Sequence, residues 1–346
     1  MKKIAFVLSL VIALFSFALC GCNSKYEKFT DYSFDSFDTV TSIVGFEKDK
    51  DTFDKNCELI KSELNRYHKL YTIYTKYEGI NNLCIINDQK KDIKAPKEII
   101  DLLDFSAYMY ELTKGKVNIA MGSVLSIWHN YRTEGLEHPE KAEIPTLSIL
   151  KDASKHTEIK DIKIDSKKGT VSLSNDKMSL DVGAVAKGYA VEKVAQLMED
   201  KGIRGYILNV GGNVRIVGNR PDKEKWNVGI ENPDTDNEEK PYIANLELDG
   251  GMSLVTSGSY QRFYNVEGKN YHHIIDPETL MPAEYFVSVS VLCKDSGKAD
   301  ALSTALFCMP YKDGLEIIKN SDDTEAMWVL PDGTIRYSQN FSDFFK

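Results

Sequence analysis

Cysteine is scarce: six occur in 346 residues, and beyond Cys22 only Cys57, Cys84, Cys293 and Cys308 remain, with no Cys-x-x-Cys spacing among them. This argues against a zinc site or a disulfide framework and leaves four thiols for the core. Positive charge is also short, 43 Lys and Arg against 52 Asp and Glu, for a net charge of -9. A surface of that sign does not suit nucleic acid. No strong internal repeat is present, and the strict alternation of strand and helix that builds a parallel sheet is missing. Strands and helices come in clusters instead, which argues for an α+β fold.

The start of the chain speaks to compartment. "MKKIAFVLSLVIALFSFALCGC" has two lysines, an apolar run from Ile4 to Leu19, then small residues before Cys22. It reads as a secretory signal peptide over 1–21. An uncleaved anchor is the competing reading, because the run nears the ~18 residues of a membrane span. "LCGC" resembles the lipobox of bacterial lipoproteins, which would make Cys22 the lipidated first residue. Cleavage there removes two lysines and no acids, so the charge falls from -9 to -11, and 325 residues are left. That length buries a large core, expected as two closely joined lobes.

A polar tether is expected over 22–33, with "FDSFDTVTSIVGF" following as a strand. Phe53, Cys57, Ile60, Leu64 and Leu70 recur at helical spacing between Thr52 and Tyr74. A second helix is predicted from Pro96 to Gly115. "DIKID", "TVSLS" and "MSLDV" read as short strands, "YILNVGGNVRIVG" as a hairpin about Gly211 and Gly212, and "GYAVEKVAQLMEDKG" as a helix. "KADALSTALFCMP" is a further helix stopped by Pro310, and "AMWVLPDGTIRYS" a terminal hairpin.

Five stretches carry candidate chemistry, each with a plain structural alternative. "DVGAVAKG" puts Asp181, Gly183, Lys187 and Gly188 where a strand meets a helix; glycine amides and a helix N-terminus cradle phosphate, yet such glycines also serve simple turns. Gly211 and Gly212 read equally as a hairpin turn. "TSGSYQR" offers Thr256, Ser257, Gly258 and Arg262 for polar recognition, although Ser-Gly also marks ordinary turns. In "YHHIIDPE", His272 and His273 face opposite sides of a strand, so one can enter a site beside Asp276. Asp300 and Thr304 sit four apart on a helix, suited to one hard cation or to capping and back-bonding.

Taken in order, these stretches resemble the FAD:protein FMN transferases, the ApbE-type lipoproteins. "LDVGAVAKGYAVEKV" is similar to their Asp-x-Gly-x-x-Ala-Lys-Gly-Tyr-Ala signature, "ILNVGGNVRIVG" to their Asn-x-Gly-Gly stretch, and "VTSGSYQRF" to their Thr-Ser-Gly-x-Tyr segment. "HHIIDPETLMPA" and "ADALSTAL" match their His-x-x-Asp-Pro and Asp-Ala-Leu-x-Thr motifs, and "YTIYTKYEGINNLCIIND" is similar to the amino-terminal half of Gram-positive members. The resemblance runs from Phe34 to Tyr337. It implies an ApbE-like fold, over 34–346, with an FAD cleft between two mixed lobes.

The implied reaction cleaves FAD, moves FMN through its phosphate to a Thr or Ser hydroxyl of a target protein, and releases AMP. Mg2+, one or two ions, would be held by Asp300, Thr304 and the carbonyl of Ala184, with Lys187 and the amides around Gly183 and Gly188 beside the phosphates. His273 is implied as general base, with Asp276 orienting it or binding ligand. Thr256, Ser257, Gly258 and Arg262 would line the nucleotide channel, together with Asp181, Gly211 and Gly212. Phe37 stands where other members often carry methionine, in "FDT" for Met-Gly-Thr, and Tyr74 is the ring assigned to the isoalloxazine, its register open among Tyr71, Tyr74 and Tyr77. An FAD pyrophosphatase and a non-catalytic flavin carrier are the rival functions. The expected partners are FAD, flavin acceptors of membrane redox complexes or extracellular electron transfer, and the membrane through the lipid anchor; the expected place is the extracytoplasmic face of the cell membrane.

Overall fold

The computed structural model describes residues 25–346; the expected signal segment and Cys22 lie outside them. Strand β1 (Glu27–Ser36) pairs antiparallel with β2 (Thr39–Glu47) through a two-residue turn. The stretch expected as one strand is therefore a corner, and the expected tether pairs in the sheet from Glu27 onward. Phe37 and Asp38 both have positive φ, 57° and 50°. Two left-handed residues in succession match the twist of a hairpin but strain any side chain other than Gly, Asn or Asp. The Phe37 amide donates to Nδ1 of His68 at 3.1 Å, which helps hold the corner.

Helix α1 (Lys50–Tyr71) is capped by Asp49, whose side chain accepts from the Thr52 amide. Its buried face is the predicted one, Phe53, Cys57, Ile60 and Leu64. Phe53, Ile60 and Leu64 each contribute about 1.5–3 kcal/mol on burial. Then follow α2 (Leu83–Gln89), β3 (Ile93–Lys94), α3 (Lys97–Leu112), α4 (Gly122–Glu137), α5 (Leu147–Ala153), β4 (Ile162–Asp165) and β5 (Thr170–Leu173). The last two pair with β3 in a small antiparallel sheet. "MSLDV" is not a strand. The Leu180 amide donates to the Asn87 side chain at 2.7 Å, the Leu180 carbonyl accepts from it at 2.9 Å, and the Asp181 amide goes to the Ile119 carbonyl. Those partners satisfy the backbone that a ladder would otherwise have used.

Helix α6 (Ala186–Asp200) leads into β6 (Tyr206–Val210), β7 (Asn213–Val217), β8 (Trp226–Glu231), β9 (Tyr242–Leu248), β10 (Ser253–Gly258), β11 (Phe263–Val266), β12 (Lys269–His272) and β13 (Ser288–Cys293). The chain ends with α7 (Ser296–Phe307), α8 (Tyr311–Lys319), β14 (Glu325–Val329) and β15 (Ile335–Tyr337). Eight strands form one antiparallel sheet in the order β1-β2-β6-β7-β10-β13-β14-β15. All of β13 is buried, because both faces of the sheet are covered. Val289, Val291 and Cys293 point into the core shared with the helices, whereas Leu292 points to a second core under the β8–β9 hairpin. A third, smaller core joins α4 to β11 and β12 through Val124, Trp128 and Tyr264. The four described cysteines are unpaired, and three are buried.

Candidate active site

A cleft of about 970 Å³ opens where the smaller α4 unit meets the main body. Phe37, Tyr74, Asp181, Ala184, Lys187, Gly211, Gly212, Thr256, Ser257, Gly258, Arg262, His273, Asp300 and Thr304 all line it. Residues up to 267 positions apart in sequence thus share one cavity. Asp276 and Gly188 do not line it, and both part from the expectation.

The junction before α6 is organised by its own carboxylate. Asp181 Oδ1 accepts the Gly183 amide at 2.8 Å, and burial raises the Asp181 pKa despite that bond. The Gly188 amide donates to Asp300 Oδ2 at 2.7 Å. Neither amide is therefore open to a phosphate, contrary to the expected cradle; Gly188 does a different job. A Cβ on it would lie 2.4 Å from both the Asp300 Cβ and the Ser296 carbonyl, so its absence lets α6 and α7 cross closely. The caps are reciprocal: Asp300 of α7 takes an amide in the first turn of α6, while Glu192 of α6 takes the Ser296 amide at 3.0 Å. Arg215 holds Glu192 at 2.9 Å in a buried ion pair.

Lys187 reaches across to donate to the Gly211 carbonyl at 2.8 Å. Burial lowers its pKa, and the Asp300 charge only partly opposes this. Asp300 shows the mirror image: burial raises its pKa, and Lys187 and the Gly188 amide oppose. Gly211, at φ 54°, would put a Cβ 2.3 Å from Thr39 Oγ1, so the β6–β7 turn presses directly on the corner before β2. Ser257 Oγ lies 2.8 Å from Ser303 Oγ and 3.4 Å from Thr304 Oγ1, and Thr256 bonds Ser290.

His273 is oriented by a backbone carbonyl and not by Asp276. Its Nδ1 lies 3.2 Å from the Arg262 carbonyl, which can only accept, so the proton is on Nδ1 and Nε2 keeps its lone pair. The ring is reachable by solvent from the cleft. Even so, the surrounding walls strip enough water from it, with Arg262 and Arg132 adding positive charge, to push its pKa down to about 3. Asp276 is instead buried in an ion pair with Lys116 at 2.9 Å, and its backbone and Oδ1 close the turn that follows. His272 is a satisfied structural residue, donating from Nε2 to the Ala283 carbonyl at 2.8 Å and accepting the Ile274 amide at Nδ1.

Helix α4 supplies cleft residues that sequence reasoning missed, notably His129 and Arg132. Val124, Trp128 and Tyr131 fall at helical spacing and were the available signal. Trp128 anchors the helix by donating to the Leu280 carbonyl at 2.9 Å. Arg132 donates to His129 Nδ1 at 3.1 Å, and the His129 ring lies 5.4 Å from that of Tyr74, tilted by 31°. Tyr74 is 64% exposed, so its ring is open to a ligand, whereas Tyr71 is buried in the core. Among the described residues no helix is long and apolar enough to cross a membrane.

Comparison with known proteins fits this geometry. The model of the ApbE family matches residues 37–328. The FAD:protein FMN transferase of Klebsiella pneumoniae is 30% identical over 271 residues, which is 75% of this chain and 81% of that protein. The Treponema pallidum protein of the same name is 29% identical, over 71% of this chain and 69% of its own. In structure, the ApbE protein of Thermotoga maritima superposes with a TM-score of 0.79 at 28% identity, covering 93% of this chain and 99% of that one. The flavin transferase ApbE of Vibrio cholerae shares the fold, with a TM-score of 0.74 at 23% identity over 92% of this chain and 99% of that one. With its motifs in one cleft and a family match that spans most of its length, the chain belongs to the ApbE family.

Proposed function

We propose that this protein is an FAD:protein FMN transferase. The observation that carries the reading is a neutral histidine with a free Nε2 sharing one cleft with the Lys187, Asp300 and Thr304 set. In the reaction, Nε2 of His273 takes the proton of an acceptor Thr or Ser hydroxyl. The hydroxyl oxygen bonds to the phosphorus of the FMN half, the bond from that phosphorus to the bridging oxygen breaks, and AMP departs with the electron pair. Lys187 offers positive charge to the pyrophosphate oxygens, which gather charge as the bond breaks.

The donor set suits a hard cation. Asp300 and Thr304, one helical turn apart, and the carbonyl of Ala184 present only oxygen, and Asp300 is a buried carboxyl whose pKa burial raises with only partial opposition from Lys187. These residues would hold magnesium, which supplies charge neutralisation at the phosphates when bound. The acceptor is read as an extracytoplasmic protein, in keeping with a chain tethered by lipid at Cys22.

The test incubates purified protein with FAD, Mg2+ and a small acceptor domain and reads in-gel flavin fluorescence. Asp300→Ala and His273→Ala should each lower labelling by about a hundredfold or more, the range of a lost base or charge-stabilising group. AMP release without a labelled acceptor would mark a pyrophosphatase, and neither product would mark a carrier.

A further inference from the structure

Two guanidinium groups, Arg132 and Arg262, line the same cleft, and among the described residues neither is paired with a carboxylate. Arg262 donates to the Asp38 carbonyl at 3.2 Å, and Arg132 to His129 Nδ1 at 3.1 Å. An arginine has five donors in a fixed fork, so most of both forks is left unassigned. Like charges gathered in a partly desolvated cleft repel, and burial together with the Arg262 charge lowers the Arg132 pKa below its ordinary value. Such an arrangement is offset when an anion enters between the two.

We propose that Arg132 is a catalytic residue, its guanidinium acting with that of Arg262 to clamp the phosphoryl group in transit, on the side where the acceptor hydroxyl enters. This rests on the transferase reading above. Three observations bear on the location. Arg262 is the residue whose carbonyl orients His273, and both residues line the cleft. Both arginine charges act on the His273 ring. Asp300, Thr304 and Lys187 are on other elements, α7 and the start of α6, and the Arg262 charge acts on Lys187 as well as on His273, so it bears on both the base and the lysine beside the phosphates. The transferring phosphoryl is the group whose equatorial oxygens carry the spread charge of the transition state, and a planar fork meets two such oxygens at once. Helix α4 is rigid enough for the task, since Val124 and Trp128 root it in its own core.

The experiment compares wild type, Arg132→Ala and Arg132→Lys, with FAD, Mg2+ and an acceptor domain. It reads kcat and acceptor KM for labelling, and FAD affinity by quenching of flavin fluorescence. The clamp predicts a kcat lower by about a thousandfold in Arg132→Ala, the low end for a transition-state arginine. FAD affinity and acceptor KM should stay within about threefold, less than 1 kcal/mol. Arg132→Lys should fall between, and added guanidinium ion should restore part of the Arg132→Ala rate. Circular dichroism checks that the variants fold, and if Arg132→Ala does not, Arg132→Lys carries the same kcat and affinity test. An unchanged kcat, a loss confined to FAD affinity or to acceptor KM, or no rescue of a folded Arg132→Ala would overturn the clamp. A wild type that leaves the acceptor unlabelled would instead overturn the transferase reading itself.

Discussion

At the scale of the residue, His273 has one nitrogen left for chemistry because the other is spent on the Arg262 carbonyl. Its pKa of about 3 keeps it unprotonated across the neutral range, against an ordinary value of about 6.5. The acid limb of kcat/KM should therefore fall well below pH 6, and a limb centred on the ordinary imidazole value would show that His273 is not the base. Stability follows the same sign. The unfolded histidine takes a proton before the folded one does, so its contribution is present above about pH 6.5 and is lost as pH falls toward the folded value. His273→Gln should lose less stability than wild type on acidification through that window, as read by urea unfolding. The expected split of the histidine pair across one strand does not occur, because β12 ends at His272 and His273 lies just past it. His273 was legible through the resemblance to the family's His-x-x-Asp-Pro motif. Its partner was not: "HHIID" puts a carboxylate three residues away, and only the fold shows Lys116 holding that carboxylate elsewhere.

At the scale of the element, the crossing of α6 and α7 sets the position of Asp300. Each helix caps the other, and Gly188 makes room for the crossing. Gly188→Ala would drive a methyl into the Ser296 backbone, which cannot swing aside like a flexible side chain. We expect a loss of about 1–3 kcal/mol in thermal or urea unfolding, the usual cost of overpacking. Labelling activity should drop as well, because Asp300 moves with the helix. A variant with wild-type stability would mean that the helices part without penalty. Elements with a strong period, such as α1, were legible from sequence alone. "MSLDV" alternates like a strand, but the Asn87 side chain claims its backbone from 93 residues away. Helix α4 escaped notice because its inward face mixes Trp128 with His129 and Arg132, polar residues that belong to the cleft.

At the scale of the whole molecule, a sheet covered on both faces gives a rigid base, and the small α4 unit closes a cleft against it. The first described strand begins at Glu27, five residues after Cys22, so an anchor at that cysteine would hold the body close to the bilayer. Cys22→Ser should move the protein from the membrane fraction to the soluble one with labelling activity intact, and a membrane fraction unaltered by the change would remove Cys22 from the anchor. Roles in phosphate, metal and proton transfer came from the family resemblance, whereas the sequence by itself determined the α+β class and the positions of the glycines and polar side chains. Those features rest on local periods, φ preferences and side-chain chemistry, which a short stretch carries whole. Only the tertiary structure decided that the Gly183 and Gly188 amides are already engaged, that Asp276 serves Lys116, and that Arg132 joins the cleft. Hydrogen bonds and charges between distant segments settle which groups remain unsatisfied, and that competition has no record in any single stretch of chain.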